Sequence, residues 1–124
     1  FIKNREISII GIDDFVGGSA NFRKAVENIK ETETNIILSH CPEYRDIFTK
    51  QKGSLNIDLV LSGHTHGGQI TFLGIVPFKP QGSGKYLKGW YKESEPKMYI
   101  SKGIGTSILP IRLGARAEMV EMEI

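Results

Sequence analysis

Three short apolar runs, separated by two helical patterns, limit the folds open to this chain more than any other feature. The runs cover residues 7–12, 35–40 and 57–62, and they are rich in isoleucine, leucine and valine. Apolar runs of this length, bounded by polar or turn-forming residues, are typical of strands buried inside a sheet. The first half of the chain therefore contains three predicted buried strands.

The segments between these strands carry the spacing of amphipathic helices. A helix from about residue 20 to residue 31 is predicted by apolar residues at i, i+3, i+4 and i+7: Phe22, Ala25, Val26 and Ile29. Pro42 suits the first position of a second helix. Alternating strands and helices predict an α/β fold, in which the strands pair in parallel within a mixed sheet and the helices cover one face.

The second half of the chain is less regular. Residues 71–96 predict hairpins or loops, because they are rich in glycine, proline and lysine. Residues 97–101 predict another strand, and Val120, Met122 and Ile124 alternate with glutamates as in a half-exposed final strand. The mixture of cations and aromatics in residues 71–96 indicates either a lip that faces phosphate or a membrane, or a solvated hairpin with its own aromatic cluster: Lys79, Lys85, Tyr86, Lys88, Trp90, Tyr91 and Lys92.

Composition excludes several classes of protein. A net charge of +2 on 124 residues is too small to indicate a nucleic-acid partner. The single cysteine, Cys41, rules out an internal disulfide and leaves the compartment open, either cytoplasmic or membrane-associated. No apolar run approaches the ~20 residues that a membrane helix needs. Since the chain starts at Phe1, without an initiator methionine, we expect a fragment or a processed product.

Two histidines directly after the third predicted strand are the strongest functional signal. His64 and His66 are separated by one residue and flanked by Gly63 and Gly67. Glycine permits a tight turn and the close approach of a ligand, so both imidazoles can face one cleft. The pattern predicts a metal site, and imidazole binds Zn, Mn and Fe alike. The plainer alternative is a pair of polar loop histidines.

A third histidine, His40, has the same position at the end of the second predicted strand. Ligands of open α/β sheets collect at the carboxyl ends of the strands. We therefore expect His40, His64 and His66 to share one site, whereas His40 taken alone is typical of a hydrogen-bonded core histidine. Three neutral histidines can hold one zinc ion with water in the fourth position.

Two sequence strings resemble the last two motifs of calcineurin-like metallophosphoesterases. They are residues 38–42, Leu-Ser-His-Cys-Pro, and residues 61–69, Leu-Ser-Gly-His-Thr-His-Gly-Gly-Gln. The Gly-Gly-Gln ending is similar to that of the bacterial branch that includes membrane-associated phosphodiesterase-like proteins. Residues 101–105 and the later Arg112 also resemble the C-terminal pattern of that branch.

This resemblance implies a fold, a metal centre and a reaction. The fold is the C-terminal half of a layered αββα sandwich, with residues 1–124 as the C-terminal portion of the domain. His40 and His64 are implied to bind one divalent ion and His66 a second, the ions being Mn, Fe or Zn. The three histidines are then catalytic ligands in the hydrolysis of phosphate mono- or diesters.

Part of the family's catalytic machinery does not occur in this sequence. The Asp-x-His, Gly-Asp-x-x-Asp and Gly-Asn-His motifs of the family are all absent. We therefore expect two partners, a phosphate-ester substrate and the missing N-terminal half of the same domain. The branch often has an N-terminal membrane anchor, which implies possible membrane association of the full-length protein. The chain departs from the branch at Lys102, where we expect arginine, and at Ala117, where we expect proline.

Several features allow more than one interpretation. The chain is part of an enzyme, or a non-catalytic scaffold or binding module with at most one bound metal, or a small domain with a structural zinc. Cys41 is either a further metal ligand or a small buried hydrophobe. Asp58 either orients a histidine or begins its strand. Gly103 and Gly105 are typical of a nucleotide-binding loop or, more simply, of a turn near the site.

Overall fold

The computed structural model describes residues 6–29, 32 and 34–123, and within them the chain forms an α/β fold. Its strands are β1 (Ile7–Ile12), β2 (Thr34–Ser39), β3 (Leu59–Ser62), β4 (Gly89–Tyr91) and β5 (Met98–Ile100). Its helices are α1 (Phe22–Val26) and α2 (Tyr44–Thr49), and a single 3₁₀ turn covers His66–Gly68. In this part of the chain no helix approaches the length that would cross a bilayer.

The five strands form one mixed sheet in the order β1-β2-β3-β5-β4. The strands β1, β2, β3 and β5 are parallel, and β4 is antiparallel to β5. The predicted parallel pairing of the first three strands is therefore confirmed. Its register places one apolar row across the sheet, in which Ile10 pairs with Ile37, Ile37 with Val60 and Val60 with Met98.

Both helices pack on the face of the sheet that carries this row. Phe22 of α1 and Phe48 of α2 are fully buried, and their rings stack with centroids 5.2 Å apart. They join Ile37 and Val60 in one hydrophobic core. Burial of such side chains contributes about 1.5–3 kcal/mol each, so the helix-covered face is the main source of stability. The prediction that the helices cover one face is confirmed.

Helix α1 is shorter than the predicted helix of residues 20–31. The side chain of Asn21 caps its start by accepting a hydrogen bond from the Lys24 amide at 3.0 Å. After Val26 the amides of Glu27 and Ile29 bond to carbonyls three residues back, which tightens the chain out of the α-helix. Residues 30 and 31 lie outside the described residues.

The opposite face of the sheet is largely open. Leu38 is 42% exposed, Ile9 67% and Trp90 47%, and all three project from this face. Residues 121–123 line a groove of about 370 Å³ at one end of it, together with Ile36 and others. An apolar sheet face without a covering layer is a surface that another element normally packs against.

The prediction of a final strand from the alternation of Val120, Met122 and Ile124 is wrong for the described residues. Residues 120–123 form no strand, and Ile124 lies outside the described part. Instead of extending an edge of the sheet, Met122 sits half-buried in the groove on the open face. The alternation thus reflects contact with a surface on one side rather than hydrogen bonding to a neighbouring strand.

The segment before β5 forms a hairpin with an aromatic cluster. Tyr86 is buried, and its ring meets Tyr91 edge-on with centroids 4.9 Å apart. Trp90 packs against Tyr99 in the same way at 5.2 Å, and the Lys92 ammonium lies 4.7 Å from the centre of the Trp90 ring. The described contacts therefore favour the second interpretation of this segment, a hairpin with its own aromatic cluster.

Strand β3 begins at Leu59, later than predicted, and the side chain of Asp58 bonds to the neighbouring strand β2. One carboxylate oxygen of Asp58 accepts a hydrogen bond from the Asn35 amide at 2.8 Å, and the other accepts from the Asn56 side chain at 2.9 Å. Asp58 therefore anchors the start of β2, and its side-chain bonds run to these asparagines rather than to a histidine.

Candidate functional site

His40 and His64 meet at the carboxyl ends of two adjacent parallel strands. His40 directly follows β2, and His64 stands two residues after β3, where the Gly63 amide donates to the His40 carbonyl at 3.2 Å. The Nδ1 atom of His64 lies 3.1 Å from Nε2 of His40, and the two rings are nearly perpendicular with centroids 4.8 Å apart. The expectation that strand order brings these two residues together holds in the structure.

A backbone carbonyl fixes the proton on the His64 ring. Nε2 of His64 lies 2.6 Å from the carbonyl oxygen of Gln81. A carbonyl only accepts hydrogen bonds, so Nε2 carries the proton and Nδ1 of the neutral ring keeps its lone pair. That lone pair faces His40. Gln81 was not singled out from the sequence, because its contribution is made by the main chain.

The loop after β3 is held in a backbone conformation that side chains rarely adopt. His64 has φ 66°, His66 has φ 50° and Gly67 has φ 63°. Positive φ in a residue other than glycine is uncommon and carries strain, which clusters at functional sites. Thr65 holds the loop from inside, because its buried hydroxyl donates to the Leu87 carbonyl and accepts from the Gly67 amide.

His66 does not join the pair formed by His40 and His64. Its Nδ1 atom is buried and has no hydrogen-bond partner in the described structure, and its side chain lines a separate cavity of about 280 Å³. Across residues 6–29, 32 and 34–123, no three His, Cys, Asp or Glu side chains are arranged to hold one ion. The resemblance likewise implies different ions for the pair and for His66.

Arg112 ties the histidine loop to the C-terminal loops. Its guanidinium donates to the carbonyl of His66 at 3.0 Å, to that of Lys102 at 2.7 Å and to that of Ala115 at 2.7 Å, and it also bonds the Gly105 carbonyl. The fixed fork of an arginine suits several carbonyls at once better than the single ammonium of lysine. Arg112 therefore positions the backbone of the site.

Gln69 makes a second connection between the same loops. Its side-chain amide donates to the carbonyls of Leu109 and Ile111, at 2.7 and 3.0 Å, and its oxygen accepts from the Ser107 amide at 2.8 Å. All the bonding groups of one side chain thus contact a loop about 40 residues away in sequence. The last residue of the Gly-Gly-Gln string organises the loop beside the site.

The rim carries an ion pair at the position where arginine was expected. Lys102 lies 2.8 Å from the Glu118 carboxylate, and that carboxylate also accepts from the Lys102 amide at 2.8 Å. Lys102 packs closely over Gly67, where a Cβ would come within 2.6 Å of its side chain. The Gly103 carbonyl accepts from the Glu118 amide, and the Gly105 carbonyl accepts from Arg112, so both glycines lie in a loop bonded to the rest of the site.

Asp14 and Cys41 form a neighbouring pair that sequence reasoning did not connect. The Cys41 thiol donates to Oδ1 of Asp14 at 3.0 Å. This hydrogen bond, with those from the amides of Val16 and Gly17, lowers the pKa of Asp14 to about 2. Burial, and then the contact with Asp14, raises the pKa of the Cys41 thiol to about 11. The described contacts favour the small buried hydrophobe over the metal ligand, because metal ligation needs a thiolate.

We expect Cys41 to resist alkylation in the folded protein. A thiol pKa two units higher lowers the thiolate fraction at pH 8 about 100-fold, and burial slows access further. Iodoacetamide at pH 8 should therefore modify Cys41 at least ~100-fold more slowly in buffer than in urea. The measurement is the mass of the intact protein over time, and equal rates in the two solvents would show that the thiol is exposed and unperturbed.

A histidine pair at the carboxyl edge of a parallel sheet, beside a strained glycine-rich loop, places this chain among α/β proteins with a histidine-lined site at that edge. Comparison with curated proteins narrows the class. The chain is 30% identical over 116 residues to the uncharacterised metallophosphoesterase YkuE of Bacillus subtilis, covering 92% of this chain and 39% of that protein. It is 30% identical over 122 residues to the phosphodiesterase YaeI of Escherichia coli, covering 98% of this chain and 42% of that protein.

A third relative is a bovine transmembrane protein with a metallophosphoesterase domain, 30% identical over 124 residues, with 94% of this chain and 27% of that protein covered. The chain therefore belongs to the calcineurin-like metallophosphoesterase family. It spans less than half the length of each of these relatives. No family model matches the chain, and no solved structure matches it.

Proposed function

We propose that this chain supplies three histidine ligands, His40, His64 and His66, to a two-metal site that hydrolyses phosphate mono- or diesters. The observation that carries the proposal is the 3.1 Å separation of His40 Nε2 and His64 Nδ1 at the carboxyl edge of the sheet. The family membership supplies the class of reaction, and the sheet edge supplies the place where α/β proteins bind ligands.

The pair has the spacing that one cation requires. Two nitrogens that each lie about 2.0–2.1 Å from a tetrahedral zinc ion are about 3.3 Å apart. The observed 3.1 Å is close to that value and is also an ordinary hydrogen-bond length, so a shift of the His40 proton from Nε2 to Nδ1 would leave both facing lone pairs open to a cation. The Gln81 carbonyl already holds His64 in the tautomer that leaves Nδ1 free.

His66 fits a ligand position for a different reason. Its buried Nδ1 has no partner among the described residues, and an unpartnered buried nitrogen carries a desolvation cost of about 1–3 kcal/mol. A bound cation on the imidazole would fix the tautomer and draw the ring into a defined contact. When bound, a pair of divalent ions supplies an activated water and a clamp on the phosphate oxygens. Mn, Fe and Zn all accept imidazole, so the ligand type leaves the choice among them open.

The remaining ligands belong, in this proposal, to the rest of the domain. Residues 1–124 would be its C-terminal portion, which agrees with the chain's share of 27–42% of the relatives' lengths. The open face of the sheet, with Ile9 and Leu38, is where the missing layer of the αββα sandwich would pack. That layer would bring the carboxylates that balance the charge of two cations. The partners are then this N-terminal half and a phosphate-ester substrate.

One observation favours the alternative of a non-catalytic scaffold or binding module with at most one metal. The described residues bring two histidines together and place no third metal-binding side chain beside them. Such a module would use the same fold and would bind a cation without turning over substrate. The bovine relative is a transmembrane protein, and we propose for the full-length protein either a cytoplasmic or a membrane-associated location.

The experiment compares turnover by the 124-residue chain and by the full-length protein. Each is assayed with Mn or Zn on bis(p-nitrophenyl) phosphate. We expect turnover by the full-length protein and little or none by the chain alone, since each ~1.4 kcal/mol of lost transition-state stabilisation costs tenfold in rate. Robust turnover by the chain alone would show that all catalytic groups lie within it, and no turnover by either would favour the scaffold.

A further inference from the structure

The cavity beside His66 has walls unlike those of the rest of the site. Its volume is about 280 Å³, and His66 forms one wall. The other walls are mostly apolar, and include Ile70, Pro77, Phe78 and Leu109. Ligand pockets are typically ~300–1,000 Å³, so this one is of a size for a single aryl ring or a short alkyl chain.

The two loops that form the cavity remain apolar beyond its mouth. They expose large hydrophobic side chains that a solvent-facing loop normally lacks: Phe72, Ile75, Phe78, Ile108, Leu109 and Ile111. Residue 108 is 91% exposed although it lines the cavity. Large exposed apolar side chains, grouped on the two loops of one cavity, mark a place where an apolar partner or ligand binds.

The segments around the cavity carry more cations than carboxylates. Residues 70–92 and 101–117 contain no aspartate or glutamate, although the chain as a whole has 14. They do contain seven basic residues: Lys79, Lys85, Lys88, Lys92, Lys102, Arg112 and Arg116. Two of these pair with carboxylates of other segments, Lys85 with Asp46 at 3.5 Å and Lys102 with Glu118 at 2.8 Å. The other five leave a positive bias that attracts an anion and repels a cation, which is the charge complementarity that an anionic phosphate ester requires.

The cavity is fixed in shape by the site's own hydrogen bonds. Gln69 bonds both the amide of Ser107 and the carbonyl of Leu109, so one side chain sets the loop that forms one wall. On the other side Gly68 lets Val76 pack directly on the backbone, because a Cβ there would lie 2.7 Å from the valine methyl. Walls that are ordered before binding cost little to order during binding.

We propose that this cavity is the subsite for an apolar alkyl or aryl substituent of the phosphate ester. The proposal rests on the proposed function, in which His66 holds a cation and thereby places the phosphate at the cavity mouth. The substituent then enters between Phe78 and Leu109, while the basic loops face the anionic phosphate. The substrates are phosphate esters with an apolar group next to the phosphorus, in preference to wholly polar sugar or nucleotide phosphates.

The test measures the binding of a series of n-alkylphosphonates, from methyl to octyl, to the metal-loaded full-length protein by isothermal titration calorimetry. We expect affinity to rise about fourfold per methylene, equivalent to ~0.8 kcal/mol, and to level off once the cavity is full. In Phe78→Ser/Leu109→Ser the increase with chain length should disappear while the affinity for methylphosphonate stays. Leu73→Ser is the matched control, because Leu73 is 87% exposed on the same loop but does not line the cavity.

The outcomes separate this inference from the proposed function. Affinity that is independent of chain length, a length dependence that survives in the double variant, or failure of every phosphonate to bind would each overturn the subsite. Hydrolysis of methyl p-nitrophenyl phosphate is measured on the same samples. If hydrolysis is present without length dependence, the subsite alone is wrong. If length dependence is present without hydrolysis, the cavity stands and the catalytic function is wrong.

Discussion

Replacing His64 with alanine in the full-length protein is expected to lower kcat/KM for bis(p-nitrophenyl) phosphate at least ~100-fold. Removing groups that merely orient metal ligands typically costs 10–100-fold in activity, so loss of a ligand itself should cost at least as much. The Nδ1 lone pair that faces His40 at 3.1 Å would be gone, and the Gln81 carbonyl would lose its partner. The measurement is steady-state kinetics at saturating Mn.

A second variant separates the loss of a metal ligand from a loss of stability. His64 has φ 66°, a conformation that histidine adopts more readily than alanine, so His64→Ala also loses stability for a reason unrelated to metal. His40 is exposed and has no positive φ, so His40→Ala should fold normally and lose activity to a similar extent. Gln51→Ala, an exposed change after α2, is the control. Near-normal kcat/KM in His40→Ala would contradict the proposed role of the pair.

Replacing Arg45 with alanine is expected to lower the free energy of unfolding by about 3–5 kcal/mol. Arg45 is only 3% exposed, and its guanidinium donates to the Pro96 carbonyl and the Tyr86 hydroxyl, each at 2.8 Å, and to Ser94. Each buried acceptor left without its donor costs about 1–3 kcal/mol. These bonds connect α2 to the hairpin before β5, so the hairpin should also become more mobile. The measurement is urea denaturation followed by circular dichroism.

Two further arginine substitutions are the controls for Arg45→Ala. Arg23 on α1 is exposed and makes no described side-chain hydrogen bond, so Arg23→Ala should alter stability by less than about 0.5 kcal/mol. Arg45→Lys keeps the charge but loses the fork of donors, and we expect a loss between those of the two alanine variants. A loss below ~1 kcal/mol in Arg45→Ala would show that the buried guanidinium is not an important link.

The sequence predicted those parts of the fold that depend on the local spacing of apolar residues. The runs that became β1, β2 and β3 are apolar enough to be recognised alone, and parallel pairing follows from the helices between them. The same logic placed His40 beside His64, because the carboxyl ends of adjacent parallel strands share one edge. The contact at 3.1 Å agrees with that reasoning.

The features that sequence missed depend on contacts between distant residues. Arg45 bonds groups about 50 residues away, and Gln69 bonds groups about 40 residues away, without a periodic pattern that would reveal either. Asp14 meets Cys41 only because β1 and β2 lie side by side. Met122 belongs to an alternation typical of strands but lies in a groove. An alternation of apolar and polar residues shows which side of the chain is buried, but not whether the chain is hydrogen-bonded to a neighbouring strand.

The separation of His66 from the other two histidines has the same origin. Residues 64 and 66 are close in sequence, but both have positive φ, and the second imidazole lies beside the apolar cavity rather than beside His40. Left-handed conformations at histidine have no sequence signature beyond the flanking glycines. The glycines predicted a tight turn, and only the structure gives its direction.

The most direct test of the proposed metal site is a crystal structure of the full-length protein grown with zinc, with diffraction data collected on both sides of the zinc absorption edge. We expect an anomalous peak about 2.0–2.1 Å from both His40 Nε2 and His64 Nδ1, with the Gln81 carbonyl still bonded to the other nitrogen of His64. A zinc ion bound elsewhere, with the two imidazoles still hydrogen-bonded to each other and no peak between them, would contradict the proposed metal site.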